Sequence, residues 1–335
     1  MPGDGSPEER IARAMDGFLT TQLLYVAVKL GILDALADGP RTAAEVAGAV
    51  GARPGPLARV LRGLAAEEIL DEAGGRFALA PAGDVLRTRT GMLVARAELY
   101  YRAAAGLLDA LRDGGTPFER VFGERFFDHL DRTPAHEAAF NASMAGRSAR
   151  EAGEVVAAYD FGGLRRFVDV GGGSGILLSA ILRATPGLEA VLLDRPAAID
   201  AARARLAADG LAGRAECVAG DFFDGVPSGA DAYLLSRVVH DWDDDDAVRI
   251  LAGCRAAMGD GARVLLVEAV LPERARDAPE AIRMDLHMLV LFGAARERTE
   301  GEYRHLLAAA GLALRRVVPT GSPTGLAVVE AVAAT

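Results

Sequence analysis

The sequence predicts an α/β chain, with a Rossmann-like, mostly parallel sheet that ends in an antiparallel edge hairpin and a helical domain of winged-helix type in front of it. Three observations carry this reading. From Phe167 onward, short apolar runs alternate with helix-period segments, the signature of a doubly wound parallel sheet. The first of those runs opens onto a glycine-rich turn, Asp169-Val170-Gly171-Gly172-Gly173-Ser174-Gly175. Residues 23–81 read as helix, helix, helix and hairpin, which is the order of a winged helix.

Taken in order, residues 11–37 carry apolar side chains at helical spacing (Phe18, Leu23, Val26, Val28, Leu30, Ile32, Leu36), as one or two helices broken near Gly31. Gly39-Pro40 punctuates, and Thr42 with Glu45 three residues on forms a capping box for a short helix. Arg53-Pro54-Gly55-Pro56 turns into the next helix, and ILDEAGGRFALAP is a strand–Gly-Gly–strand hairpin. The third helix offers Arg59 and Arg62 but also Glu67 and Glu68, and the wing offers only Arg76. That is thin for phosphate contacts, so the domain is expected to pair subunits or wall a pocket and not to bind DNA. Residues 93–157 read as all-helical and concentrate the aromatics Phe118, Phe122, Phe126, Phe127 and Phe140. LALRRVVPT and TGLAVVEAVAA close the chain as two strands with no helix between them. The expected division is a winged-helix-like dimerisation domain over 1–92, a helical linker and pocket segment over 93–157, and the Rossmann-like domain over 158–335.

Composition excludes several classes of protein. The 335 residues hold 37 Lys+Arg against 47 Asp+Glu, a net charge of −10 that argues against a protein coating nucleic acid. A hydrophobic share of 51% with 25% charged residues is globular composition, not disorder. Two cysteines, Cys217 and Cys254, rule out a disulfide framework and a Cys-rich zinc site. The acid-rich start, Met1–Arg10, has no signal-peptide pattern, and no uncharged apolar run reaches the roughly 18 residues of a membrane span. The expectation is a cytoplasmic protein of bacterial type.

The turn after the first strand places glycines at 171, 173 and 175 behind an acid at 169. A dinucleotide fingerprint would read G-x-G-x-x-G and open on a pyrophosphate. D-x-G-x-G-x-G instead suits S-adenosylmethionine (SAM), a cationic amino-acid cofactor whose ammonium an acid can receive. The second strand ends at Asp194, where a carboxylate can accept from a ribose diol; the third ends Gly220-Asp221-Phe222, an acid and an aromatic placed for adenine. His240 follows the fourth strand on the ligand edge of the sheet, and an imidazole can take a hydroxyl proton near neutral pH. Glu268 lies inside the apolar strand RVLLVEAV and Glu297 in the loop AARERTE; both either pair with arginines or converge on His240 and orient it. The acids at 241–246 read as a negatively charged helix start. There is no G-x-S-x-G elbow and no zinc-ligand spacing, so neither hydrolysis nor a metal is expected. Phe126, Phe127, Phe140, Met284, Met288 and Phe292 are the candidate acceptor pocket; Met284 and Met288 share a helix face.

VDVGGGSG, LLDRP, GDFF, LSRVVHDW and RERT, in this order, together with FNASMAGRS at 140–148, resemble the SAM-dependent O-methyltransferases of the plant caffeate type and their bacterial secondary-metabolite relatives, such as the polyketide and hydroxyneurosporene enzymes. The resemblance covers nearly the whole chain. It implies a SAM-methyltransferase sheet, homodimerisation through the N-terminal helices, and a small hydroxylated aromatic as acceptor. It further implies His240 as general base flanked by Glu268 and Glu297, and SAM contacts from Gly171, Asp194, Asp221, Phe222, Met144 and Ser148. One departure stands out: the plant enzymes carry a lysine four residues before the histidine, and Ser236 stands there, with Arg237 beside it. Relatives that bind SAM but hydroxylate or decarboxylate, methylation at carbon or nitrogen, and a winged-helix metabolite sensor are the alternatives; the presence of His240 counts against the first.

Overall fold

The computed structural model describes residues 6–334, so the first five residues of the acid-rich start lie outside the described residues. The chain divides into two compact units, one running to Ala105 and adding Val121–Met144, the other comprising Gly106–Arg120 and the chain from Ala145 onward.

In the first unit, α1 (Pro7–Lys29) starts at Ser6, whose hydroxyl accepts from the Glu9 amide while the Glu9 carboxylate returns to the Ser6 amide. Gly31, at φ +72°, breaks the helix where the sequence predicts and starts α2 (Ile32–Ala35). β1 (Arg41–Thr42) leads into α3 (Ala43–Val50) through the expected Thr42–Glu45 capping box. α4 (Pro54–Ala66) buries Leu57, Leu61 and Leu64 along one face. β2 (Leu70–Ala73) and β3 (Arg76–Leu79) form the hairpin, and Gly74 and Gly75 both take the left-handed backbone that a two-residue turn of this hand requires. The three strands pair antiparallel in the order β1-β3-β2, over a core that includes Ile32, Leu36, Val46, Leu61 and Phe77.

The chain continues through α5 (Pro81–Arg87), α6 (Thr90–Ala95), a π-helical turn at Arg96–Tyr100 and α7 (Tyr101–Ala103). Next come α8 (Leu107–Asp113), α9 (Pro117–Phe122), α10 (Phe126–Arg132) and the long α11 (Pro134–Ala158), so the middle of the chain is helical as read. On α1, Ile11, Met15, Phe18 and Leu19 are exposed at helical spacing, a solvent-facing apolar stripe of the kind that a partner covers.

The second unit alternates strand and helix: β4 (Arg166–Val170), α12 (Ile176–Ala184), β5 (Glu189–Asp194), α13 (Pro196–Ala208), β6 (Ala215–Ala219), β7 (Ala232–Ser236), α14 (Asp244–Ala257), β8 (Arg263–Leu271), α15 (Pro279–Phe292), β9 (Arg298–Thr299), α16 (Glu300–Ala309), β10 (Leu312–Pro319) and β11 (Leu326–Ala333). The sheet order is β10-β11-β8-β7-β4-β5-β6, with β9 pairing the end of β8. Strands β4 to β8 run parallel, and β11 is antiparallel to both β8 and β10, the expected edge hairpin. Successive residues of one strand serve opposite cores: Val168 packs with Val191, Tyr233 and Leu251, while Phe167 packs with Leu192, Leu234 and Leu265. Burial on both faces explains why these strands read as continuous apolar runs instead of alternating. Strand order reverses at β4, with β5 and β6 to one side and β7 and β8 to the other, so a crevice opens at the carboxyl ends of β4 and β7.

Candidate active site

The turn after β4 holds its shape by alternation. Gly171 (φ +72°), Gly173 (φ +57°) and Gly175 (φ +72°) take the left-handed backbone that side chains disfavour. A Cβ on Gly171 would stand 2.8 Å from Val238 Cγ2, so the turn also packs against the segment after β7. Asp194, ending β5, accepts from the Gly173 amide at 2.7 Å and from the Arg195 amide at 2.6 Å. Asp221 is exposed and accepts from the Phe223 amide at 2.9 Å, closing its own turn, and Phe222 lies within 3.7 Å of where a Gly171 Cβ would be. Beside the turn is a cavity lined by Gly171, Gly173, Ser148, Ser236, Arg237 and Asp169, among others. Asp169 is fully buried and neither of its oxygens has a hydrogen-bond partner in the protein. Burial and the neighbouring Asp194 charge raise its carboxyl to about 7. A buried acceptor pair without a donor is a place for a ligand cation.

His240 sits in a single 3-10 turn, Val239–Asp241, immediately past β7. Its Nδ1 is 3.2 Å from Glu297 Oε1 and 3.8 Å from Glu268 Oε2, and its Nε2 is 3.3 Å from Oδ1 of the half-exposed Asp241. The three side chains read from sequence as one group are thus together, and all are buried. Glu268 Oε1 also accepts from the amides of Val238 (3.0 Å) and Val239 (2.8 Å), so β8 fixes the start of the histidine turn. Burial disfavours the imidazolium, but the Glu268 and Glu297 carboxylates outweigh it and raise His240 to about 9. Burial works against ionised Glu297, yet His240 and Arg237 hold it below the usual carboxylate range, while burial wins at Glu268 and raises it.

The neighbours of Glu297 explain why this loop can aim a carboxylate. The Arg296 amide donates to the His240 carbonyl at 2.9 Å. Arg298, with no exposed surface, donates to the carbonyls of Val239 (2.9 Å) and Trp242 (2.8 Å) and to Asp244. Asp285 on α15 accepts from the Glu297 amide at 2.9 Å. The Asp243 side chain caps α14 by accepting from the Asp246 amide at 3.0 Å, which is the role read for that acidic run. Trp242 packs edge-on to Phe222 and Phe223.

Sequence reading missed a further layer. Arg237 donates to Glu297 Oε1 at 3.1 Å and to Glu151 on α11 at 2.7 Å, and Arg147 donates to Glu151 at 2.8 Å and approaches Met284 Sδ at 3.5 Å. The i,i+4 spacing of Arg147 and Glu151 was the only local signal for it. Of the expected pocket residues, Met288 is buried and Phe292 ends α15 half-buried. Phe126 packs edge-on to Phe127 and Phe140 in the first unit, with Phe126 buried and Phe127 exposed. Met144, half-buried, is the last residue of that unit, one helical turn before Ser148 on α11.

A doubly wound sheet opening on this alternate-glycine turn, beside an unpartnered buried acid and a histidine with two buried carboxylates, makes a cleft for a cationic ligand next to a group that can exchange a proton. The chain belongs to the O-methyltransferase family: the model of the O-methyltransferase domain matches residues 104–313 and that of the O-methyltransferase dimerisation domain residues 12–89. It is a SAM-dependent O-methyltransferase by that membership. The phenazine O-methyltransferase PhzM of Lysobacter antibioticus is 42% identical over 327 residues, 96% of this chain and 95% of that protein. An 8-amino-8-demethylriboflavin N,N-dimethyltransferase of Streptomyces davaonensis is 40% identical over 311 residues, 89% of this chain and 88% of its own length. Among solved structures, the neocarzinostatin-biosynthesis O-methyltransferase NcsB1, in complex with SAM and 2-hydroxy-5-methyl naphthoic acid, superposes with a TM-score of 0.79 at 37% identity, covering 94% of this chain and 96% of that one. Among the described residues no helix is long and apolar enough to cross a membrane.

Proposed function

We propose that this chain methylates a hydroxyl, phenolic in character, of a small aromatic natural product, with His240 as general base. The observation that carries the reading is the buried His240–Glu297 contact, Nδ1 to Oε1 at 3.2 Å. An ionised carboxylate only accepts, so Nδ1 carries the hydrogen and Nε2 is the nitrogen left to take a proton.

The residues present fit SAM. The unpartnered Asp169 carboxylate suits an ammonium, directly or through water. Asp194 at the end of β5 is assigned to the ribose hydroxyls, and Asp221 with Phe222 to the adenine. Gly171 and Gly173 give the backbone close approach, and Ser148, Ser236 and Met144 complete the contacts from α11 and β7. The cofactor supplies an electrophilic methyl group when bound. His240 Nε2 accepts the hydroxyl proton as the acceptor oxygen forms its bond to the methyl carbon, and the pair from the broken S–C bond stays on sulfur. Glu297 and Glu268 stabilise the imidazolium that results, and the base contributes roughly 10²–10⁴-fold. A phenol ionises near 10 and His240 near 9, so the proton moves between groups of similar affinity.

Met284, Met288 and Phe292 of α15 are assigned to the acceptor's ring. The division into 1–92, 93–157 and 158–335 is assigned to dimerisation, pocket wall and chemistry, with the exposed stripe of α1 pairing two copies into a homodimer that works in the cytoplasm without nucleic acid or membrane.

The test is incubation with methyl-labelled SAM and a panel of phenols, polyketide-like aromatics and aromatic amines. Label is expected on at least one phenol. Transfer to amines alone would favour the reading that the N-methylating relative represents, and absence of transfer together with a specific DNA shift would favour a sensor.

A further inference from the structure

Among the described residues, only Glu68 and Arg237 combine a side chain with a left-handed backbone. Arg237, at φ +55°, has its guanidinium largely buried in the second unit. Its fork reaches two carboxylates at once: Nη2 and Nε bond Glu151 at 2.7 and 3.3 Å, and Nη1 bonds Glu297 Oε1 at 3.1 Å. That same Oε1 is the atom 3.2 Å from His240 Nδ1. One carboxylate oxygen therefore serves two cations.

We propose that Arg237 is a positioning residue for the general base: it holds Glu297 in line with His240 Nδ1 and, by sharing that oxygen, limits how strongly Glu297 favours the imidazolium. The proposal rests on the reading of His240 as base. Its physical content is competition. His240 faces Glu268 from β8, Glu297 from the loop before β9 and Asp241 from its own turn. Three acids around one imidazole favour the imidazolium, which removes no proton, and the more strongly they do so the higher the pH at which the base becomes free. Arg237 is the cation inserted into this ring, and it is itself anchored from behind by Glu151, which Arg147 also holds. Asp285 on α15 fixes the Glu297 amide from the far side, and the buried Tyr303 of α16 bonds the Ala269 carbonyl next to Glu268. A planar fork is needed to span both carboxylates; a lysine ammonium supplies the charge without the fork.

The experiment reads His240 directly and needs no acceptor. Full-length protein labelled with ¹⁵N-histidine is titrated by NMR, with the His240 signals assigned from a His240→Gln variant. Arg237→Gln is expected to raise the His240 midpoint by roughly one pH unit, about tenfold in the ratio of imidazolium to imidazole. Arg237→Lys is expected to lie closer to the wild type. A purely structural role would lower the melting temperature and leave the midpoint in place. An unchanged or lowered midpoint in Arg237→Gln overturns the proposal. If that variant does not fold, Arg237→Met, which also removes the charge but keeps an apolar stem, decides by the same readout: a raised midpoint supports the proposal, and an unchanged or lowered one refutes it. The titration is separable from the base assignment. Should His240→Ala methylate at the wild-type rate while Arg237→Gln shifts the midpoint, the base reading falls and the coupling stands.

Discussion

Replacing His240 with alanine separates proton removal from binding. The cavity at the glycine turn is lined by Ser148, Asp169, Gly171 and Ser236 and their neighbours, and His240 is not among them. SAM affinity measured by calorimetry is therefore expected to stay near the wild-type value. Turnover should fall by roughly 10²–10⁴-fold, or about 3–5 kcal/mol of barrier. The pH profile sharpens the test. A base must be neutral to act, and the two glutamates hold His240 at about 9, so wild-type kcat/KM should climb with pH and flatten near that value. Without His240 the rate can follow only the acceptor's own ionisation, near 10 for an unsubstituted phenol. A nitro-substituted phenol that arrives already ionised should lose far less in the mutant than its parent. Equal losses for the two acceptors, or a wild-type break that tracks the acceptor's ionisation, would exclude His240 as the base.

Three further outcomes follow from the same geometry. Asp194→Ala removes the acceptor of the Gly173 amide and should weaken SAM binding by roughly tenfold or more while sparing turnover at saturating cofactor, read by calorimetry and initial rates. Gly171→Ala forces a Cβ to 2.8 Å from Val238 Cγ2 on a left-handed backbone, and its cost of about 1–3 kcal/mol should show in urea unfolding together with loss of SAM binding. The pH dependence of stability should also differ between the wild type and His240→Gln. A folded pKa raised from 6.5 to about 9 contributes stability that is full below the unfolded value and lost as pH rises toward 9. That loss, on the order of 3 kcal/mol, should be present in the wild type and absent in the variant.

Local physics made much of the fold legible. The Thr42–Glu45 box, the Gly74-Gly75 hairpin and the break at Gly31 lie where the residues place them, because each depends on side chains within a few positions. The strand ends were readable for the same reason: the acids at 169 and 194 close the buried runs of β4 and β5, and Asp221 follows the half-buried edge strand β6. The convergence of His240, Glu268 and Glu297 was an open alternative to simple arginine pairing: Glu297 meets both His240 and Arg237 on one oxygen, whereas Glu268 faces His240 and bonds the Val238 and Val239 amides. What the sequence withheld is pairing across distance. Arg237 and Glu151 are joined only by tertiary folding, and nothing around Arg298 marks it as an arginine without solvent contact that clamps the histidine turn. Asp194 shows a different gap: its position was clear, but its bond to the Gly173 amide depends on a turn geometry that residue type does not specify.

Methyl transfer to oxygen through His240 is read out with ¹³C-methyl SAM and an acceptor carrying a hydroxyl and an amino group on one ring, offered to the wild type and to His240→Ala. A labelled methoxy product from the wild type, falling by roughly 10²-fold or more in the variant, is the predicted result. Label on nitrogen, or a methoxy yield that His240→Ala leaves untouched, would contradict it.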